Sequence, residues 1–98
     1  MSMYLKSYKV NKETIVAVCD SELLGRTFCD GELHLSVNEE FFKGLLASEH
    51  DVREALQSAT IANLVGKRAV DCGIDSGIID DDYIITIEGV PHAQMVML

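Results

Sequence analysis

The sequence predicts an α+β fold, in which a mixed or antiparallel sheet of about five strands has one face covered by a long helix. Three observations support this prediction. The chain has 98 residues, the length of a single domain with one core, so residues 1–98 are expected to form one domain. Segments with the composition and alternation of strands lie towards both ends of the chain. A helical block over residues 38–72 separates them, and this order is typical of α+β domains.

Three strands are predicted before the helical block, over residues 4–10, 14–19 and 32–37. The first is expected at a sheet edge, because its aromatic and lysine side chains share one face. The second is β-branched and apolar on both faces, which is typical of an interior strand, and we expect it to form a hairpin with the first. The third alternates strictly between apolar and polar residues, which indicates a half-buried strand. Before it, Asp20 caps a brief helical turn that ends at Gly25.

The main helix is predicted to begin at Ser48, which forms a capping-box pattern with Asp51. At helical spacing, one apolar stripe contains Val52, Ala55, Leu56, Ala59, Asn63, Gly66 and Val70. Ile61 and Leu64 interrupt the opposite, polar side, so residues 59–66 are apolar almost all the way round. We therefore expect residues 59–66 to be the middle of a buried helix, covered either by a second layer of the domain or by another subunit.

Asn63 places one carboxamide on the core-facing stripe of this helix. Ala59 and Gly66 leave little bulk beside it, so another backbone can approach closely. A buried polar group without a partner costs about 1–3 kcal/mol, and the amide is therefore expected to bind exposed peptide groups. Structural bracing is the main interpretation and predicts that Asn63→Ala destabilises the fold. The alternative is a ligand-binding residue.

Two further strands are predicted over residues 83–87 and 93–98, joined by a turn over residues 88–92. Gly89 frees the backbone in this turn and Pro91 fixes φ. His92 and Gln94 follow at alternate positions and are expected to project together as a hydrogen-bonding pair from a rigid corner. This turn is the first candidate binding site, because functional residues concentrate on such loops. The alternative is a hairpin whose polar face meets water.

Charge and composition bound the classes of function. The net charge is −8, from 16 acidic and 8 basic residues. Because non-specific nucleic-acid binding needs a basic surface, free nucleic acid is not an expected partner. No apolar run is long enough to span a membrane, and residues 1–6 do not have the pattern of an export signal. Three cysteines without a Cys-x-x-Cys pair indicate a reduced, cytoplasmic protein.

The chain shows no strong motif for catalysis or metal binding. Cys19 and Asp20 end an interior strand and would make a thiol–imidazole site with His92, but a lone cysteine on an apolar strand is usually a packing residue. The cysteines and histidines match no zinc spacing, and the run Asp80–Asp82 lacks the alternating ligands of a calcium loop. No cofactor or metal is therefore expected. Arg26, just after the first helical turn, is a candidate for an anionic contact.

Three segments form a recognisable combination: residues 16–25 (VAVCDSELLG), residues 59–66 (ATIANLVG) and residues 89–94 (GVPHAQ). Together they resemble the signature blocks of a small archaeal protein family, domain of unknown function 424. The resemblance spans nearly the whole chain and implies a free-standing, cytoplasmic archaeal protein of about this length. It implies no activity and no catalytic residues, because the family has none assigned. It also implies a loose association with translation or RNA handling.

These observations favour a non-enzymatic binding module that docks on a protein or ribonucleoprotein partner, with translation as the setting that the resemblance implies. The candidate binding residues are His92, Gln94, Asn63, Arg26 and Asp20. Three alternatives stay open: a small-molecule enzyme with the Cys19, Asp20 and His92 site at the strand ends, an RNA-binding subunit of a complex, and a homo-oligomer that buries Ile61 and Leu64.

Overall fold

The computed structural model describes residues 2–98, and these form two sheets, three α-helices and two 3₁₀ helices. The strands are β1 (Met3–Val10), β2 (Glu13–Asp20), β3 (Thr27–Asp30), β4 (Leu33–Ser36), β5 (Leu45–Ala47), β6 (Ile61–Val65), β7 (Ile85–Ile87) and β8 (Val90–Val96). The α-helices are α1 (Glu39–Phe42), α2 (Glu49–Leu56) and α3 (Lys67–Asp75), and the 3₁₀ helices lie at Ser21–Leu23 and Asp81–Tyr83. Six strands form a mixed sheet in the order β5-β1-β2-β6-β8-β7, while β3 and β4 form a separate hairpin. The predicted α+β class is confirmed.

The centre of the main sheet is the parallel pair β2 and β6. The neighbouring pairs on either side are antiparallel. β1 pairs with β2 along its whole length, which confirms the hairpin predicted for the first two strands. Residues 16–19 of β2 are fully buried, as the apolar character of both faces of this strand predicted.

The prediction of one long helix across the sheet is wrong. The helix that begins after the Ser48 capping box ends at Leu56, and Ile61–Val65 form strand β6. A separate helix, α3, begins after Gly66, whose φ of 104° turns the chain from strand into helix. An apolar run of this length fits a buried helix and a buried strand equally well, so its pattern alone does not distinguish the two.

Burial on both faces of the sheet explains the apolar character of β6. Leu64 and Val65 point to opposite faces, and both are fully buried. Strands β2 and β8 hydrogen-bond to β6 from its two sides and so satisfy its backbone groups. Leu64 therefore lies in the core of the chain and is not available to the predicted subunit interface, whereas Ile61 is half-buried.

The main sheet separates two hydrophobic clusters. On one side, the helix face, helices α2 and α3 pack over buried residues that include Met3, Val16, Val18, Ala62, Leu64 and Ala93. On the other side, the hairpin face, the β3–β4 hairpin and α1 cover a cluster that includes Ala17, Cys19, Phe28, Leu35, Phe42 and Val65. The part of the hairpin face that these elements leave uncovered carries the candidate site.

Three local elements differ from the prediction. Strand β5 pairs with Met3–Leu5, so the first half of β1 has neighbours on both sides and only its second half lies at an edge. Residues 27–30, for which no strand is predicted, form β3 and pair with β4. The final strand begins at Val90, inside the segment predicted as a turn. Within residues 2–98, no helix is both long and apolar enough to cross a membrane.

Candidate functional site

Three of the residues predicted to form a site lie together on the hairpin face. Asn63 of β6 is the register partner of Gln94 of β8, and Ile61 is the partner of Val96. His92 precedes Gln94 by two positions, and residues two apart on a strand point to the same face. The three polar side chains therefore share one face across two neighbouring strands. We call the set Ile61, Asn63, His92, Gln94 and Val96 the amide surface.

The amide surface is open towards the end of the sheet that carries Val96. Val96 is 60% exposed and Gln94 is also exposed, whereas Ile61, Asn63 and His92 are half-buried. Opposite residues on neighbouring strands have Cβ atoms about 4.5–5.5 Å apart, so the side chains of Asn63 and Gln94 are adjacent. The surface thus presents the exposed Gln94 carboxamide, with the half-buried Asn63 and His92 beside it, on a backbone that the sheet holds in place.

The Asn63 carboxamide is not tied to neighbouring main chain, and that prediction is wrong. Its Oδ1 is buried and has no hydrogen-bond partner among residues 2–98. The backbone N–H groups of β2 and β8 that face β6 donate to the sheet ladder, so they do not donate to the Asn63 Oδ1 atom. An unpaired buried acceptor costs about 1–3 kcal/mol. Asn63 therefore carries a cost that the hydrogen bonds of the fold do not offset.

His92 lies inside strand β8 and not in the preceding turn. The turn consists of Glu88 and Gly89, whose positive φ values of 51° and 80° are those of a type I′ hairpin. The Nδ1 atom of His92 is 3.0 Å from the carbonyl oxygen of Leu64. Because a carbonyl only accepts, Nδ1 donates in this bond, and Nε2 is the ring nitrogen left for a partner.

Asp20 has a structural role on the helix face. Its carboxylate accepts hydrogen bonds from the backbone N–H groups of Arg68 and Ala69, at 3.2 and 2.9 Å, and so caps the N-terminus of α3. Asp20 is only 3% exposed, and this burial raises the pKa of its carboxyl although the two N–H groups and the Arg68 guanidinium favour the charged form. The N-terminus of α3 is thus already occupied by a carboxylate of the chain.

Cys19, Asp20 and His92 do not converge into a catalytic site. Cys19 and Asp20 are consecutive on β2 and point to opposite faces of the sheet. Val65 lies between Cys19 and His92 in the same row of the hairpin face, which places the two residues two strands, about 10 Å, apart. Burial, together with the charge of Asp20, raises the pKa of the Cys19 thiol to about 12. The predicted thiol–imidazole site is not formed by these residues.

Arg26 lies away from the amide surface. It lines a shallow depression of about 380 Å³ together with residues 25, 27 and 36–40, and none of these belongs to the amide surface. The guanidinium carbon of Arg26 is 4.9 Å from the centre of the Phe28 ring, a cation–π contact that holds the arginine against the hairpin. Glu39 and Glu40 also line the depression and disfavour an anion there.

The structure brings together one pair of reactive residue types that sequence reasoning missed. The Sγ atom of Cys29 is 3.1 Å from Nδ1 of His34, and both side chains are exposed. The two residues are register partners across the β3–β4 hairpin. The sequence signal is Gly31, since a two-residue loop made of Gly31 and Glu32 places residues 29 and 34 opposite each other. Among residues 2–98, no group of three or more His, Cys, Asp or Glu side chains is arranged to hold a metal ion.

Comparisons with known proteins place the chain in a family. No curated protein matches its sequence significantly. A solved structure described as the crystal structure of an uncharacterized conserved protein from Methanopyrus kandleri is similar to the chain, with 27% sequence identity and a TM-score of 0.82. The match covers 100% of this chain and 93% of that chain. The model of the family described as a protein of unknown function (DUF424) matches residues 8–98. The resemblance seen in the three sequence segments is thereby confirmed, and the chain belongs to the DUF424 family.

Proposed function

We propose that the protein is a non-enzymatic binding module that docks through its amide surface on a protein or ribonucleoprotein partner. The observation that carries this proposal is the open sheet surface on which Asn63, Gln94 and His92 lie side by side. Carboxamides and an imidazole nitrogen pair well with peptide groups and polar side chains of another chain. Ile61 and Val96 add apolar area beside them, and protein interfaces combine such polar and apolar contacts.

The unpaired Oδ1 of Asn63 supports a binding role for this surface. In the free chain this atom has no partner among residues 2–98, which costs stability. Residues that cost stability in the free protein are typical of functional sites. A hydrogen-bond donor on the partner offsets this cost in the complex once the Asn63 side chain rotates its carboxamide towards the surface.

The acidic run that precedes strand β7 points to the chemistry of the partner. Asp80–Asp82 end two residues before β7, which pairs with β8, the strand that carries His92 and Gln94. Tyr83 and Ile85 follow this run and are 74% and 49% exposed. A partner surface on which lysine and arginine surround apolar residues is therefore complementary to this region. The opposite charges increase the association rate and favour this partner over others. A basic protein, alone or within a ribonucleoprotein, has such a surface.

The small-molecule enzyme is less well supported than the binding module. It needs Cys19, Asp20 and His92 around one cleft, whereas Cys19 and Asp20 point to opposite faces and Val65 separates Cys19 from His92. Direct binding of RNA is also less well supported, because a chain with a net charge of −8 repels phosphate groups.

The proposal is tested by using the wild type and matched variants to capture binding partners from an extract of the source organism. Gln94→Arg and Val96→Asp change exposed side chains of the amide surface. Leu45→Asp, at a residue that is 78% exposed on the opposite edge strand, is the control. We expect the amide-surface variants to weaken retention of one defined partner by about tenfold or more, or about 1.4 kcal/mol. Leu45→Asp should retain the partner as the wild type does.

Ribonuclease treatment of the captured material distinguishes a protein partner from a ribonucleoprotein. A wild-type protein that emerges alone at every salt concentration contradicts the proposal. Equal retention by the wild type, Gln94→Arg and Val96→Asp also contradicts it, as does an equal loss with Leu45→Asp. Thermal unfolding of each variant shows that the fold is kept.

A further inference from the structure

The β3–β4 hairpin carries an exposed thiol and an imidazole in direct contact. The Sγ atom of Cys29 and the Nδ1 atom of His34 are 3.1 Å apart, within hydrogen-bond distance for sulfur. Cys19 and Cys72, in contrast, are buried. Of the three cysteines, Cys29 is therefore the one whose thiol both reaches solvent and touches a base.

The hairpin geometry holds this pair in place. Residues 29 and 34 are opposite each other across a two-residue loop, in which Gly31 has a φ of 64°. The backbone N–H of Cys29 donates to the Glu88 carboxylate at 2.7 Å, which ties β3 to the turn between β7 and β8. The contact between Cys29 and His34 is therefore preorganised by the backbone.

We propose that Cys29 is a site of thiol–disulfide exchange with low-molecular-weight disulfides, in which His34 accepts the thiol proton. His34 takes the proton from Sγ, and the Cys29 thiolate attacks one sulfur of a disulfide R–S–S–R. A new S–S bond joins Cys29 to R–S, the original S–S bond breaks, and the leaving thiolate takes the proton from His34 to become R–SH. The Cys29 sulfur is oxidised and the departing sulfur is reduced, so no further oxidant or reductant is required.

Charge around the hairpin selects the class of disulfide. Asp30 and Glu32 are exposed acidic residues within two positions of the pair in sequence, and the exposed Glu88 accepts from the backbone N–H of Cys29. A neutral or cationic disulfide approaches this surface more readily than an anionic one. Because Cys19 and Cys72 are buried, an external thiol, and not a second cysteine of the chain, releases the mixed disulfide.

The experiment uses the folded protein and cystamine, a cationic disulfide, and follows the adduct by mass spectrometry of the intact chain and its peptides. We expect one adduct, on Cys29, which Cys29→Ser abolishes and an added thiol reverses. His34→Asn should slow its formation at neutral pH by about tenfold or more, because the proton acceptor is lost. His50→Asn, at an exposed histidine of α2, is the matched control and should react at the wild-type rate.

Three further readouts complete the test. At a pH high enough to ionise thiols without a base, His34→Asn and the wild type should react at similar rates. Cystamine should react faster than 3,3′-dithiodipropionate, an anionic alkyl disulfide whose leaving thiol is also aliphatic. Absence of an adduct on Cys29 in the folded protein overturns the proposal, and so does an unchanged neutral-pH rate for both His34→Asn and His34→Gln. These residues are distinct from the amide surface, so the two proposals succeed or fail independently.

Discussion

Replacing Gly66 by alanine is expected to be one of the most damaging single-methyl changes in this protein. Gly66 joins β6 to α3 with φ of 104° and ψ of 159°, a backbone region that is essentially restricted to glycine. A Cβ atom built there would lie 2.6 and 2.7 Å from the two carboxylate oxygens of Asp20. Asp20 is buried and is bound to the first turn of α3, so it has no free space into which to move.

The expected magnitude follows from two costs. The disallowed backbone conformation costs about 1–3 kcal/mol. Displacing the Asp20 carboxylate leaves the N–H groups of Arg68 and Ala69 without their acceptor, which costs about 1–3 kcal/mol more. Gly66→Ala should therefore destabilise the fold by about 2–6 kcal/mol, which is a large part of the roughly 5–15 kcal/mol that stabilises a typical domain. In a chain of this size, that loss lowers the melting temperature by roughly 10–40 °C.

Urea and thermal unfolding of four variants test this reasoning. Gly77→Ala is the control, because Gly77 also has positive φ, 79°, but an added Cβ meets no atom within 4 Å there. It should cost only about 1 kcal/mol. In an Asp20→Ala background the added methyl meets no carboxylate, so Gly66→Ala should cost less there than in the wild type. A loss for Gly66→Ala no larger than that for Gly77→Ala, or equal losses in the two backgrounds, would refute the account.

Two further predictions concern buried and paired polar groups. Asn63→Val should leave the free energy of unfolding unchanged or raise it by up to about 1 kcal/mol. The Oδ1 atom that is removed has no partner, and a β-branched residue suits a central strand. A loss above about 2 kcal/mol in a urea titration would show that the amide stabilises the fold. The Arg68 guanidinium binds the Glu22 carboxylate at 2.6 and 3.1 Å and lowers the pKa of Glu22 below its ordinary 4.5. A carboxyl group whose pKa is lowered by folding stabilises the protein at pH values above its ordinary pKa, and this stabilisation is lost as the pH falls through its pKa in the folded state. Glu22→Gln should therefore be less stable than the wild type at neutral pH and equally stable at low pH. A stability difference that does not change with pH in urea titrations would contradict this reading of the Arg68–Glu22 pair.

Features decided by neighbouring residues were predicted well. The Ser48 capping box is formed, and its two reciprocal bonds join Ser48 and Asp51. Asn38, which stands at the predicted start of the helical block, caps α1 by accepting from the backbone N–H of Glu40. The β1–β2 hairpin turns at Asn11, which has a positive φ of 57°. In each case the interacting atoms lie within a few residues of each other, so the local sequence contains the information.

The candidate site was predicted in part. His92 and Gln94 share a face because a strand alternates with a period of two, and this depends only on their spacing. Asn63 lies beside them because of the register of β6 against β8. This proximity was not predicted, since residues 59–66 were interpreted as a helix. The Cys29–His34 pair depends on a two-residue loop between β3 and β4, and the single strand predicted over residues 32–37 does not include that hairpin.

The sequence by itself determined the α+β class, the strands near both ends of the chain, the start of α2 and the acidic net charge. Only the tertiary structure decided whether residues 59–66 form a helix or a strand. Their side chains are apolar in both cases, and the choice depends on where the backbone finds its hydrogen bonds. β2 and β8, both distant along the chain, supply those bonds as neighbouring strands, and the same pairing places Asn63 beside Gln94 on an open face.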